Sequence, residues 1–261
     1  MKEQAGVFNK IAAVSGALGD IGRAVAEVFL RDGFRVALSD VKPAADAQAA
    51  LIAFGADADN ILYTQVDVSS EAEVQKWLSA IESKWGVPQF IIPNAGIVVS
   101  GMLTELPQGD VRKQIDVNFW GSYNLAVLAA KRMKAAGLPG RMVLIGSWAA
   151  ERPNARISSY CISKAAVRML CKSLALELAA HQILVNEIAP GIVSGGLSKK
   201  NQQKDPSLLQ THLDSIPNHT LITVEEIARQ VLWLCDMENM NITGTTLLVD
   251  GGLSLTSKMT K

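Results

Sequence analysis

"SGALGDIGRAVAEVFLRDG", residues 15–33, is the stretch on which the fold turns. It follows the short apolar run "KIAAV" and passes, through glycines at 16, 19 and 22, into a segment over 22–32 with helical length and periodicity. A strand entering a helix through a glycine-rich turn brings backbone N–H groups close to a pyrophosphate at the positive end of the helix dipole. Glycine spacing alone would suit an ordinary tight turn; its place directly after the first strand carries the nucleotide reading. Ser15, Gly16, Gly19, Ile21 and Gly22 are therefore candidate cofactor-loop residues.

The same alternation runs down the chain. "KIAAVSG", "RVALSD", "ILYTQVD", "QFIIPNAG", "RMVLIGS", "ILVNEIAPG" and "TTLLVDGG" read as seven strands, and residues 22–32, 70–85, 108–136, 155–180 and 223–236 as helices. Continuously apolar strands separated by helices predict an α/β fold, a doubly wound (Rossmann) sheet of about seven parallel strands flanked by helices on both faces. No repeat or glycine- or serine-rich linker divides residues 1–261, so one nucleotide-binding domain is expected. Residues 192–222 are too long and irregular for an ordinary connection and follow a strand end, where such sheets bind ligands; they are the candidate substrate flap.

Strand ends complete the nucleotide rim. Asp40 closes the second strand 18 residues beyond Gly22, near the spacing of a carboxylate that accepts hydrogen bonds from both adenosine ribose hydroxyls. A 2′-phosphate would be repelled there, which favours NAD over NADP; the competing reading makes Asp40 a cap of the next helix, near Pro43. Asp67 and Val68 close the third strand, and Asn94, Ala95 and Gly96 the fourth, on the same rim.

Composition removes other classes. Lysine plus arginine and aspartate plus glutamate each total 25, so no global field favours nucleic acid or an anionic membrane. The beginning, "MKEQAGVFNK", has no unbroken apolar run and no membrane-length apolar segment follows, so a cytoplasmic protein is expected. Charged residues, at 19%, fall below the usual quarter or so, which points to surface covered by another copy of the chain. Cys161, Cys171 and Cys235 are odd in number and lack metal-ligand spacing, and His181, His212 and His219 form no HxxxH pair, so no metal is assigned.

"YCISK", residues 160–164, puts a tyrosine and a lysine on one helical face, which by itself could be coincidence. Context changes that. Ser15 to Gly22 resembles the TGxxxGxG loop of the short-chain dehydrogenase/reductase family, "PNAG" its NNAG motif, "DVNFWG" the helix bearing its asparagine, "IGS" the strand bearing its serine, and YCISK its YxxxK. "NEIAPG" and "ITGTTLLVDGG" resemble its closing motifs, and Ser147 precedes Tyr160 by 13 residues, the family spacing. The resemblance covers about residues 9–252. It implies a catalytic tetrad of Asn118, Ser147, Tyr160 and Lys164, in which Ser147 holds the reacting oxygen, Asn118 fixes a relaying water and Lys164 also binds the nicotinamide ribose. Tyr160, Lys164, Pro190, Gly191 and Val193 join the candidate cofactor contacts, and a homo-oligomer, tetramer or dimer, is implied through the helices of Asn118 and Tyr160 and the carboxyl-terminal region.

The chemistry asks for these residue types. Oxidising an alcohol removes a hydroxyl proton as hydride leaves carbon, and a phenol of pKa near 10 is a weak base at neutral pH unless its phenolate is stabilised. A cation about 4 Å away at an effective dielectric near 20 contributes up to roughly 4 kcal/mol, about three pKa units. Lys164 is expected to supply it.

The chain departs from the family pattern in places. Asp20 stands where a middle glycine is usual, and is expected to cap the first helix and pair with Arg23. Pro93 replaces the first asparagine of NNAG, and Gly195 replaces a threonine whose contact to the nicotinamide amide Ser194, or the backbone of Ile192 and Val193, would have to supply. Trp148, Glu151, Arg152 and Asn154 are candidates for the substrate pocket, and Lys199 and Lys200 for attracting an anionic substrate. A sugar, polyol, hydroxy acid, steroid or acyl thioester all fit. The expectation is an NAD-dependent oxidoreductase of secondary alcohols; the alternatives are an NADP-dependent carbonyl or 3-oxoacyl reductase and a non-catalytic NAD-binding protein.

Overall fold

The computed structural model describes residues 10–55, 57–195 and 207–256. Seven strands, β1 (Ile11–Ser15), β2 (Arg35–Asp40), β3 (Ile61–Gln65), β4 (Phe90–Ile92), β5 (Gly140–Ile145), β6 (Ile183–Pro190) and β7 (Thr246–Val249), form one sheet in the order β3-β2-β1-β4-β5-β6-β7. All neighbours run parallel; Ile11 pairs with Arg35 on one side of β1, and Ala12 with Phe90 on the other. Strand order reverses at β1, so the carboxyl ends of β1 and β4 flank the crevice where sheets of this type bind ligands.

The central strands β1, β5 and β6 are buried along their whole length, as a parallel sheet covered on both faces requires. Helices α1 (Asp20–Arg31), α2 (Ala44–Ala53), α3 (Glu71–Trp85), α4 (Gln108–Ile115), α5 (Gly121–Ala136), α6 (Ser158–Leu178), α7 (Ser207–Ser215) and α8 (Val224–Leu234) surround it. On one face Val25 and Phe29 of α1 and Ile227 and Val231 of α8 pack on Val14, Ile92 and Ile145. On the other, Trp77, Leu125 and Leu174 from α3, α5 and α6 pack on Ile91, Met142 and Leu144. Phe34 meets Phe29 and Phe90 edge-on at 4.7 and 4.9 Å. Each ring so buried contributes roughly 2–3 kcal/mol.

Local chemistry sets several boundaries. The Ser70 hydroxyl accepts the Glu73 N–H and starts α3; Thr223 and Glu226 form a reciprocal capping box that starts α8. At the end of the sheet opposite the crevice, the buried Arg141 guanidinium donates to main-chain carbonyls of Gly140, Asp236, Met237 and Asn239.

Three expectations need refinement. Residues 108–136 are helical throughout, as expected, but a π-helical turn over Asp116–Trp120 lies between α4 and α5. Gly121 presses on Val68 there, close enough that a β-carbon would stand 2.5 Å from its Cγ2. The helix over 155–180 has 3-10 turns at Ala155–Ile157 and Ala179–His181, with α6 between them. The flap is not irregular throughout, since α7 lies within it and a parallel bridge joins Val193 to Ile222 at its base. Lys199 and Lys200 lie outside the described residues. No helix among the described residues is long and apolar enough to cross a membrane.

Candidate active site

The glycine turn is drawn tightly onto the end of β4. Gly16 has φ of +63°, and a β-carbon there would stand 2.8 Å from the Ala95 Cα; one on Gly22 would overlap the Gly16 carbonyl. The Ser15 hydroxyl accepts the N–H groups of Asn94 and Ala95 at 3.0 and 3.2 Å. In return the Asn94 amide donates to the carbonyls of Ser15 and Gly16 at 2.9 and 3.0 Å. These side chains hold the turn; the surface offered to a ligand is backbone. Ile21 packs inward against the α1–α8 face of the core.

Asp20 does not cap α1. Gly19, extended at φ −77° and ψ 158°, occupies the cap position, and its carbonyl accepts the Arg23 N–H at 2.9 Å. Asp20 is the first helical residue, and Arg23 reaches Glu27 at 3.3 Å. Asp40 likewise does not cap α2, whose cap residue is Pro43. Its carboxylate instead accepts the Leu18 N–H at 3.2 Å and the Lys42 N–H at 3.3 Å, facing the glycine turn.

Asp67 lies beyond the end of β3, which stops at Gln65, and its carboxylate accepts the N–H and hydroxyl of Ser69. Val68 is buried, and its carbonyl accepts the Asn124 amide at 3.0 Å. Gly96 stands closest to the α6 side: a β-carbon there would be 3.4 Å from Asn118 Oδ1 and 3.7 Å from Lys164 Nζ.

Asn118, Ser147, Tyr160 and Lys164 converge beside that glycine from three elements. Ser147 follows β5, and its hydroxyl accepts the Ala149 N–H at 3.1 Å while its side chain faces the Tyr160 phenol closely enough to favour the phenolate. Lys164, one turn on from Tyr160 along α6, is 4% exposed; its Nζ donates to the Ile145 carbonyl at 2.7 Å and lies 5.7 Å from the Tyr160 ring centre. Asn118 sits in the π-helical turn, a wide turn of a kind frequent at functional sites. Its amide is committed: Oδ1 accepts the Ile97 N–H, and Nδ2 donates to the Ile97 carbonyl and the Ser163 hydroxyl. Asn118 therefore anchors the loop carrying Gly96.

Electrostatics also differ from expectation. Burial pushes the Tyr160 phenol up to about 12, and the Ser147 hydrogen bond only partly offsets it. Burial brings Lys164 down to about 8, opposed by the charge of Glu187. In the protein alone, desolvation outweighs the help that helical spacing promises, because Lys164 is buried and Tyr160 is partly buried beside it. At neutral pH the site holds a phenol beside an ammonium.

The flap stem meets the same rim. Pro190 ends β6, the Gly191 N–H donates to the Val249 carbonyl at 2.8 Å, and Gly191 lies so near Asp250 that a β-carbon would be 2.8 Å from its Cα. Val193 is buried at the bridge to Ile222. Of the candidates after β5, Glu151 pairs with Arg168, Arg152 donates to the carbonyls of Leu253 and Thr256, and Asn154 accepts the Arg156 N–H. Trp148 packs with Ile192, Ile216 and Leu253, beside the flap.

Sequence reading passed over two supporting residues. Ser163 links Asn118 Nδ2 to the Tyr160 carbonyl, and the buried Gln114 accepts the Val99 N–H and the Ser159 hydroxyl. Ser163 had a signal, since it sits immediately before Lys164 within YCISK. Gln114 had none.

The crevice fits a dinucleotide: backbone N–H groups at the start of α1, close-packed glycines that admit a ligand's approach, and a carboxylate at the end of β2. Comparisons with known proteins agree. The family described as "Enoyl-(Acyl carrier protein) reductase" matches residues 16–254. An NAD-dependent glycerol dehydrogenase of Listeria innocua is 30% identical, over 95% of this chain and 95% of that protein. The human 3-oxoacyl-[acyl-carrier-protein] reductase is 33% identical, over 95% of this chain and 99% of its own length. A crystal structure of a short-chain type dehydrogenase/reductase from Mycobacterium marinum superposes with a TM-score of 0.86 at 29% identity, covering 94% of this chain and 95% of that one. With its nucleotide crevice and its Tyr160–Lys164 edge in one parallel sheet, the chain belongs to the short-chain dehydrogenase/reductase family of oxidoreductases, which act on alcohol and carbonyl groups.

Proposed function

We propose that this chain is an NAD-dependent dehydrogenase that interconverts a secondary alcohol and a ketone on a single domain, with Tyr160 as its acid–base group and residues 192–222 as its substrate flap. The observation that carries this is the gathering of Ser147, which acts on the Tyr160 phenol, and of Lys164, whose Nζ lies 5.7 Å from the Tyr160 ring centre and donates to the Ile145 carbonyl at the end of β5. Asp40, facing the turn through the Leu18 N–H, supports NAD over NADP, since its charge opposes a 2′-phosphate.

A bound nicotinamide supplies the carbon that accepts or returns the hydride. In reduction the Tyr160 phenol gives its proton to the ketone oxygen and becomes a phenolate; in oxidation the phenolate, formed once the phenol proton has left to solvent, takes the hydroxyl proton of the alcohol, and Ser147 orients the reacting oxygen. Lys164 offsets the charge that develops on the phenolate, which matters because burial alone disfavours it. Asn118 holds Ile97, and so keeps Gly96 beside Lys164.

NADH absorbance followed with a panel of secondary alcohols, for the wild type and Tyr160→Phe, tests the reading. Turnover lost in the variant with NAD binding retained supports it. Binding without turnover of any alcohol or ketone by the wild type overturns it in favour of a non-catalytic NAD-binding protein.

We further place the chain as a cytoplasmic homo-oligomer, dimer or tetramer. Trp120 and Tyr123 near the start of α5 and Ile162, Met169 and Leu176 along α6 leave apolar side chains exposed, Leu176 by 85%. Three free, buried cysteines suit a reducing compartment. A monomer by light scattering at micromolar concentration contradicts the assembly.

A further inference from the structure

Glu187, in the middle of β6, is 0% exposed, and its surroundings are chosen for it. Its Oε2 accepts from Arg168 Nε at 2.9 Å and from the Thr246 hydroxyl at 2.7 Å. Its Oε1 has no hydrogen-bond partner among the described residues and lies over Gly146, where any β-carbon would overlap it. A carboxylate so placed costs several kcal/mol of desolvation, and a buried ion pair is weak support for stability. Stability is therefore a poor reason for it to be there.

Its location offers a better one. Gly146 immediately precedes Ser147, and Arg168, two turns and more along α6 from Tyr160, donates a second hydrogen bond to the Ser147 carbonyl at 3.2 Å. The third arm of the same guanidinium pairs with Glu151, just past the 3-10 turn that Ser147 caps. One cation thus ties β6, α6 and the segment after β5 together at Ser147, the residue whose side chain acts on the Tyr160 phenol.

We infer that Arg168 and Glu187 are positioning residues of the active site: Glu187 anchors Arg168, and Arg168 holds the main-chain oxygen of Ser147 so that its hydroxyl meets Tyr160. The inference rests on the proposed roles of Ser147, Tyr160 and Lys164. The same carboxylate also acts on Lys164, whose ammonium it favours against burial. The groups facing this edge are Tyr160 and Lys164 on α6, Glu187 on β6, Glu151 and Arg168 across the ion pair, Cys161 beside Tyr160, and Cys171 behind Glu187.

Two measurements test it, one needing no substrate. Lysine side-chain ¹⁵N NMR titration, with the Lys164 signal assigned by Lys164→Met, reads the protonation of Lys164 in the wild type and in Glu187→Gln. The Gln variant should titrate about one pH unit lower. Kinetics on an alcohol from the panel should show kcat reduced about tenfold or more in Arg168→Met with KM for the cofactor unchanged, and partly recovered in Arg168→Lys. Thermal melting identifies any variant that fails to fold, and the conservative Lys and Gln changes keep the comparison open in that case. A Lys164 titration identical in both proteins, or Arg168→Met turning over within twofold of the wild type, overturns the inference. If the wild type oxidises nothing, the catalytic reading has failed on its own, and the NMR titration still decides whether Glu187 acts on Lys164.

Discussion

Gly195 stands against Asp20: a β-carbon on Gly195 would lie 3.2 Å from both Cβ and Oδ2 of Asp20, and 2.9 Å from Cγ1 of Val224. The two residues that depart furthest from the family's cofactor motifs, distant in sequence, therefore share one space where the first turn of α1 meets the flap stem. Glycine at 195 makes room for a carboxylate at 20.

That contact makes Gly195→Thr costly alone. We expect a loss of about 1–3 kcal/mol from overpacking against Asp20 and Val224. In the Asp20→Gly background the loss should shrink, giving a coupling of at least about 0.5 kcal/mol in a double-mutant cycle measured by urea unfolding. Additive effects would show that the two departures are unrelated.

Asp40 combines a charge with a structural bond, and the two separate by substitution. Asp40→Asn keeps an oxygen for the Leu18 N–H while removing the negative charge, so the NAD preference proposed above should fall by about tenfold or more, roughly 1.4 kcal/mol. Asp40→Ala also releases the glycine turn and should weaken both cofactors. Fluorescence titration of each cofactor reads the ratio; an unchanged ratio in the Asn variant would mean that Asp40 does not select against a 2′-phosphate.

Lys164 makes stability depend on pH in the direction opposite to a salt-bridged lysine, whose folded pKa is raised. Its folded pKa of about 8 lies below the 10.5 of a free lysine, so the folded state holds fewer protons between those values and stability rises with pH across that window. Below pH 8 the full cost, roughly 3 kcal/mol, is carried by the wild type. Lys164→Met should be inactive yet more stable than the wild type at pH 7, with the difference narrowing towards pH 10. Calorimetry at both pH values checks the sign.

Arg141 should be among the least replaceable residues outside the site. Arg141→Met would strip a donor from the buried Gly140 carbonyl and from the partly buried carbonyls of Met237 and Asn239, for a loss of about 3 kcal/mol with cofactor affinity unchanged per folded molecule. Denaturant midpoints, with NAD binding as control, measure both parts.

Most of the architecture could be read from the chain because it rests on local pattern. Apolar runs bounded by Gly, Asp and Asn marked each strand, and the glycines at 16, 19 and 22 marked the crevice. What escaped depends on distant partners. The π-helical turn at Asn118 goes with bonds to Ile97 and Ser163 that no spacing within "DVNFWG" announces. Spacing placed Tyr160 and Lys164 on one face but not how far the fold would withdraw them from water, and that loss of solvent reversed the expected phenol shift. Glu187 and Arg168 looked like an ordinary strand residue and an ordinary helix residue, and their pairing is visible only once β6 and α6 are side by side.

The guanidinium of Arg141, knotted into the main chain beneath the sheet, has one more implication. The flap and rim proposed to select a substrate hang from the opposite end, so they are free to drift in length and composition while the foundation stays locked. Descendants of such a scaffold can change what they accept at the mouth without renegotiating how the whole stands up.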